Sequence, residues 1–227
     1  HAFFGSADDD EGKGIAVNSS GKLVIVGYSW DSWQGPGNIS PKNAYSGDED
    51  IVALSLTASL GGSTFSYGWH TFYGSIYSDI ASGVALDASE NIYVSASSDW
   101  TWNVGASAPK HAHSGGNDMA VLKINSSGTY QWHTFYGSSS SDVATCIAYN
   151  GTNLFVGGYS ATTWNGDSNT VPKHTHSGSS DLTVLAINTN GVYLWHTFYG
   201  SSAADEGRGI AVDGSAVYLV GQSNAAW

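Results

Sequence analysis

The string Trp-His-Thr-Phe-Tyr-Gly-Ser occurs at residues 69–75, 132–138 and 195–201, each copy 63 residues after the last. Self-similarity at a fixed period means one supersecondary unit used repeatedly, and it constrains the fold before any local propensity does. A decayed copy, His-Ala-Phe-Phe-Gly-Ser, opens the chain at residues 1–6. A second series of short apolar runs ends on Trp33, Trp102, Trp164 and Trp227. A third begins at Pro41, Pro109 and Pro172 and leads into another apolar run. The three series keep the same order throughout.

Each period divides into four β-like runs. The first is short, small and apolar, as at residues 209–212; a Gly/Asn/Asp/Ser turn then leads to a second, such as Ile92-Tyr93-Val94. That pattern is a hairpin. A long Gly-, Ser-, Trp- and Pro-rich loop follows, then a third run (119–124), a turn (125–128) and a fourth run (130–136). No segment has helical periodicity with caps, so no α-helix is expected. Four short strands per repeat predict an all-β propeller of four-stranded blades. The first strand belongs near a crowded axis, which suits Gly, Ala and Val, and the aromatic fourth strand belongs at the rim.

The run Asp118-Met119-Ala120-Val121-Leu122-Lys123-Ile124-Asn125, the string His-Thr-Phe-Tyr-Gly-Ser, the run Gly-Ile-Ala-Val-Asp-Gly at 209–214 and Asn91-Ile92-Tyr93-Val94 together resemble the SBBP β-propeller repeat family. The likeness covers essentially the whole chain. It departs in the His of His-Thr-Phe-Tyr-Gly and in Trp where the family has Phe-Pro after the second strand. What the resemblance implies is a propeller from an exported bacterial or archaeal protein with an adhesive or structural role.

Counted along the chain, one fourth strand at 1–5 precedes three complete sets of four, and a final pair ends at Trp227. That is fifteen of the sixteen strands of four blades, about 3.75 blades, in one array over 1–227 (repeats 1–69, 70–132, 133–195 and a partial 196–227). Two readings of the gap stand side by side. Either the sequence is an excerpt of a longer propeller, or partner copies complete the sheet by strand addition, for which open edges are templates. A start at His1 is expected of a chain whose export segment has been removed, or of a piece of something longer.

Composition narrows function. Seven Lys+Arg against nineteen Asp+Glu give a net charge of −12, which argues against nucleic acid and against insertion at an anionic membrane. Charged residues are only 11% while aromatics reach 13%, the balance of an extracellular or cell-surface β-rich protein rather than a disordered one. Cys146 is the single cysteine, which rules out an intrachain disulfide.

The candidate sites recur with the repeat. His111/His113 and His174/His176 are His-x-His pairs whose rings share a side on an extended chain and suit a metal, although the first repeat carries Asn43 and Tyr45 there. His70, His133 and His196, with His1, recur in the fourth run, which points to a scaffold role rather than catalysis. Asp10, Asp79, Asp142 and Asp205 precede the first strand, and Asp50, Asp118 and Asp181 the third, as turn-fixing carboxylates. Asp8, Asp9 and Asp10 with Glu11 form the one acidic run with oxygen ligands suited to calcium; otherwise no cofactor is expected. Trp33, Trp102, Trp164 and Trp227, with Trp30 and Trp100, either fill grooves between blades or contact glycans or protein partners. Asn18, Asn38, Asn125 and Asn150 head N-glycosylation sequons. The usual enzyme motifs are absent. The expected function is a non-enzymatic structural or adhesive module that associates with copies of itself or with flanking blades and forms filaments; the alternative is a carbohydrate-binding propeller.

Overall fold

The computed structural model describes residues 3–58 and 64–226. His1 and Trp227 lie outside the described residues. The chain is all-β. Sheet 1 consists of β1 (Asp10–Val17), β2 (Lys22–Ser29), β3 (Asp50–Ala58) and β4 (Phe65–Tyr73). Sheet 2 consists of β5 (Asp79–Leu86), β6 (Ile92–Ser98), β7 (Asp118–Ile124) and β8 (Tyr130–Tyr136). Sheet 3 holds β9 (Asp142–Tyr149), β10 (Asn153–Ser160), β11 (Asp181–Asn188) and β12 (Tyr193–Tyr199), and sheet 4 only β13 (Asp205–Val212) and β14 (Val217–Ser223). Strands neighbour one another in chain order and pair antiparallel; one short 3-10 turn, Asp167–Asn169, breaks the loop after β10.

Two expectations shift. The described residues hold fourteen strands rather than fifteen, because Phe3–Gly5 is not a strand. A fourth-strand segment without a third strand beside it has no ladder to join. The repeated aspartates also open the strands instead of preceding them: Asp10, Asp79, Asp142 and Asp205 begin β1, β5, β9 and β13, while Asp50, Asp118 and Asp181 begin β3, β7 and β11.

The sheets stack face to face in sequence, with β1 against β5, β5 against β9 and β9 against β13. A Cβ built on Gly14 would lie 3.1 Å from Gly83 Cα, so backbone approaches backbone between first strands, and only small residues permit it. Side chains alternate across each sheet and both faces are apolar. Along β7, Ala120, Leu122 and Ile124 join Val24, Val26, Ile51 and Ala53 of sheet 1. Met119 and Val121 join Leu154, Val156, Leu185 and Ile187 of sheet 3. Each such side chain taken from water contributes about 1.5–3 kcal/mol. Among the described residues, no extensive packing closes from sheet 4 onto sheet 1.

The turn between β7 and β8 is pinned twice. Asn125 Oδ1 accepts the N–H groups of Ser127 (3.0 Å) and Thr129 (2.9 Å), and Gly128 adopts φ 80°. The same glycine lies on the indole of Trp69, where a Cβ would come within 2.6 Å of the ring. Gly151, in the β9–β10 turn, has φ 94° with open space around it. Gly128→Val is therefore expected to cost about 2–5 kcal/mol, backbone strain plus overpacking, and Gly151→Ala about 1 kcal/mol. Urea denaturation compares them; equal losses would show that the Trp69 seat contributes nothing.

Candidate functional site

Three copies of one aromatic cluster clamp the long loop after each second strand to the fourth strand. Trp33 stacks on His70, Trp102 on His133 and Trp164 on His196, each with ring centroids 3.8 Å apart and planes within 9°. Phe72, Phe135 and Phe198 meet the same indoles edge-on. Each histidine Nε2–H donates to the carbonyl of its own stacked tryptophan at 3.0 Å. Each Nδ1 accepts the hydroxyl of Tyr67, Tyr130 or Tyr193 at 2.6–2.8 Å. Donor and acceptor roles fix the neutral Nε2–H tautomer. Burial disfavours the imidazolium accordingly, holding His133 and His196 down to about 4 and His70 below its ordinary value.

The tyrosines escape a simple strand reading. Tyr-x-x-His places the two side chains on opposite faces of a regular strand. A bulge between Tyr67 and Trp69, Tyr130 and Trp132, and Tyr193 and Trp195 adds one residue and restores them to one side. The threefold recurrence of that spacing was the available signal.

The His-x-His pairs do not converge on a common point. His111 Nδ1–H donates to Phe135 O (2.8 Å) and stacks on Tyr136, while His113 Nε2–H donates to Ser98 O (3.0 Å). His174 and His176 repeat this with Phe198 O and Ser160 O. In the first repeat Asn43 Nδ2–H donates to Phe72 O, the carbonyl equivalent to Phe135 O, whereas the Tyr45 hydroxyl donates to Trp30 O, one residue beyond the equivalent of Ser98. Among the described residues, no three His, Cys, Asp or Glu side chains gather as a metal site would require.

The strand-opening aspartates close five-residue turns. Asp79 Oδ2 accepts the N–H and hydroxyl of Ser75, Asp142 those of Ser138, Asp205 those of Ser201 and Asp10 those of Ser6. Asp50, Asp118 and Asp181 accept the N–H groups of Ser46, Ser114 and Ser177. Third-strand and next first-strand carboxylates face each other across a glycine. A Cβ on Gly74 would lie 2.6 Å from Asp50 Oδ1 and 2.9 Å from Asp79 Oδ2. Burial, reinforced by the opposing carboxylate, pushes Asp50 and Asp118 up to about 7. Burial alone raises Asp79 to about 6 and lifts Asp142. In the acidic run, Asp10 is engaged as above, Glu11 pairs with Lys13 at 2.7 Å, and Asp8 and Asp9 are exposed.

Trp33, Trp102 and Trp164 are buried, so each indole face is covered by a histidine rather than open to a sugar. Trp30 and Trp100 remain exposed, and Trp100 tilts against exposed Tyr77 at 5.6 Å. Asn18, Asn125 and Asn150 accept backbone N–H groups in their own turns, and Asn38 sits exposed at φ 61°. No helix among the described residues is long and apolar enough to cross a membrane. No protein-family model matches the chain, and neither does any curated protein.

These buried groups set a pH dependence. Carboxyls raised above 3.8 favour the protonated folded state, a contribution present at low pH and lost as pH rises through about 7. Histidines depressed from 6.5 to about 4 act oppositely, stabilising above 6.5 and losing that effect as pH falls. Above pH 7 the histidines are mostly neutral in both states while Asp50 and Asp118 are still losing protons, so the melting temperature is expected to drop between pH 7 and 8. Asp118→Asn should flatten the drop in differential scanning calorimetry; an unaltered slope would remove Asp118 as its source.

Proposed function

We propose that this chain is a non-enzymatic structural module of an extracellular or cell-surface protein, a propeller-type array of SBBP-like blades that self-associates or forms part of a longer propeller. The observation that carries the reading is the face-to-face succession of near-identical antiparallel sheets, each covering the next. β2, β6 and β10 each have a third strand on their outer edge, whereas β14 pairs with β13 alone. A third strand beside β14 would come from flanking blades of a longer propeller or from another copy of the chain. The repeated polar side chains support the reading too, since histidines, aspartates and tyrosines alike are engaged by the chain's own backbone and rings. Size-exclusion chromatography with light scattering tests the reading: the 227-residue chain is expected to run larger than one copy, and a folded monomer at all concentrations overturns self-assembly.

A second reading, glycan binding, draws on one observation: Tyr77 and Trp100 form an aromatic pair left 47% and 54% exposed. An exposed indole beside a phenol can cover the apolar face of a sugar ring. In that case Trp100→Ala should abolish hits on a glycan array while leaving the melting temperature unchanged; an array without hits for the unaltered chain ends this reading.

A further inference from the structure

We propose that Lys22 and Asn18 become joined by an isopeptide bond that the chain forms by itself, with Glu90 of the neighbouring sheet moving the protons. Acyl transfer to an amine needs a nucleophile, a polarised carbonyl and a group that carries protons between the two nitrogens. All three meet at the turn between β1 and β2.

Glu90 touches both nitrogens. Its Oε1 accepts the Asn18 Nδ2–H at 2.5 Å, and its Oε2 lies 3.4 Å from Lys22 Nζ. The lysine is drawn in from solvent, with its side chain 16% exposed, and its ammonium also donates to the Ser126 carbonyl. The carbonyl end of the same amide is held from the other side. Asn18 Oδ1 accepts the N–H groups of Ser20 (3.0 Å) and Lys22 (2.9 Å) and the Ser20 hydroxyl (2.8 Å). These three donors surround the atom on which negative charge develops when an amine adds to Cγ. Asn18 N–H donates to Lys22 O at 3.0 Å, so the two residues are neighbours across the hairpin and project to one face.

The other turns show that this arrangement is not needed to make a turn. Asn125 and Asn188 cap theirs through the same two backbone contacts, with Thr129 and Val192 where this turn has Lys22. Gly21, Gly128 and Gly191 donate to the carbonyl three residues back and adopt φ 82°, 80° and 74°. In sheet 2 the residue in that place is Glu90, at φ 61°. A side chain is disfavoured there, and strain of this kind gathers where a group must be held in position. Lysine and glutamate each enter the series once, and they meet.

The step balances within the site. Glu90 takes a proton from the Lys22 ammonium, and the freed lone pair attacks Asn18 Cγ. The Nζ–Cγ bond forms and the Cγ–Nδ2 bond breaks. Two protons pass from Nζ to Nδ2 by way of Glu90, and the departing nitrogen leaves as ammonium, carrying the charge with it. The new secondary amide keeps one N–H for the Ser126 carbonyl, so the contact between sheets 1 and 2 survives. A glycan on Asn18 and this bond exclude each other.

Intact-mass spectrometry and a tryptic digest of the full chain, made in a host without N-glycosylation, test the proposal. The bonded chain is expected to be about 17 Da lighter than its sequence, one ammonia lost in the acyl transfer. Trypsin does not cleave after an acylated lysine, so the digest should hold a peptide running uncut from Gly14 to Lys42. Glu90→Gln should slow the mass loss roughly a hundredfold. Lys22→Arg, which keeps a cation beside Glu90, should retain full mass. Full mass with ordinary cleavage after Lys22 in the unaltered chain overturns the proposal. The same loss in Lys22→Arg, which marks a succinimide at Asn18, also overturns it, as does an undiminished rate in Glu90→Gln.

Discussion

Every complete sheet in this molecule is apolar on both faces, and that property dictates the rest. Along β7 successive side chains enter cores on opposite sides, leaving no face for water. A sheet of this kind has no stable existence alone, so each must be covered by its neighbours. The small first strands permit close approach on one side of the stack, and the aromatic fourth strands fill the widening gap on the other. Lysines fasten successive sheets across that gap: Lys22 donates to the Ser126 carbonyl, and Lys123 to that of Thr189 at 3.2 Å.

Polar groups inside such a stack must find partners, and here the backbone supplies most of them. The repeat preserves hydrogen bonds more faithfully than residues. Asn43 reaches the Phe72 carbonyl as His111 reaches that of Phe135 one repeat later, an amide standing in for imidazole. The fourth-strand histidines are held neutral with both nitrogens engaged. They act as rigid struts between a tryptophan carbonyl and a tyrosine hydroxyl, tying a long loop to a strand that would otherwise carry it loosely.

Much of the fold was legible in the sequence because repetition exposes it. The four runs per period, the Asn-x-x-Gly turns and the absence of α-helix all follow from local chemistry. What was not legible depends on contacts between distant residues. That Trp102 stacks on His133 requires a loop to fold back across its sheet, and no spacing encodes it. The Tyr130–His133 bond was hidden by a bulge that reverses side-chain parity. The strand expected at the N-terminus was read from likeness to later copies, but pairing needs a neighbour as well as a sequence. Phe4 nevertheless takes the place of Tyr73, lying over Trp33 and Tyr67 at 6.4 and 6.0 Å.

The stack also implies an uneven distribution of resilience. Sheet 2 has a complete neighbour on each side, whereas β1 and β14 at the two ends leave most of their residues in contact with solvent. In a linear arrangement governed by nearest-neighbour coupling, opening begins where one neighbour is lacking and advances inward. The molecule should therefore fray from its rims, with the strands around Tyr93 the last to come apart.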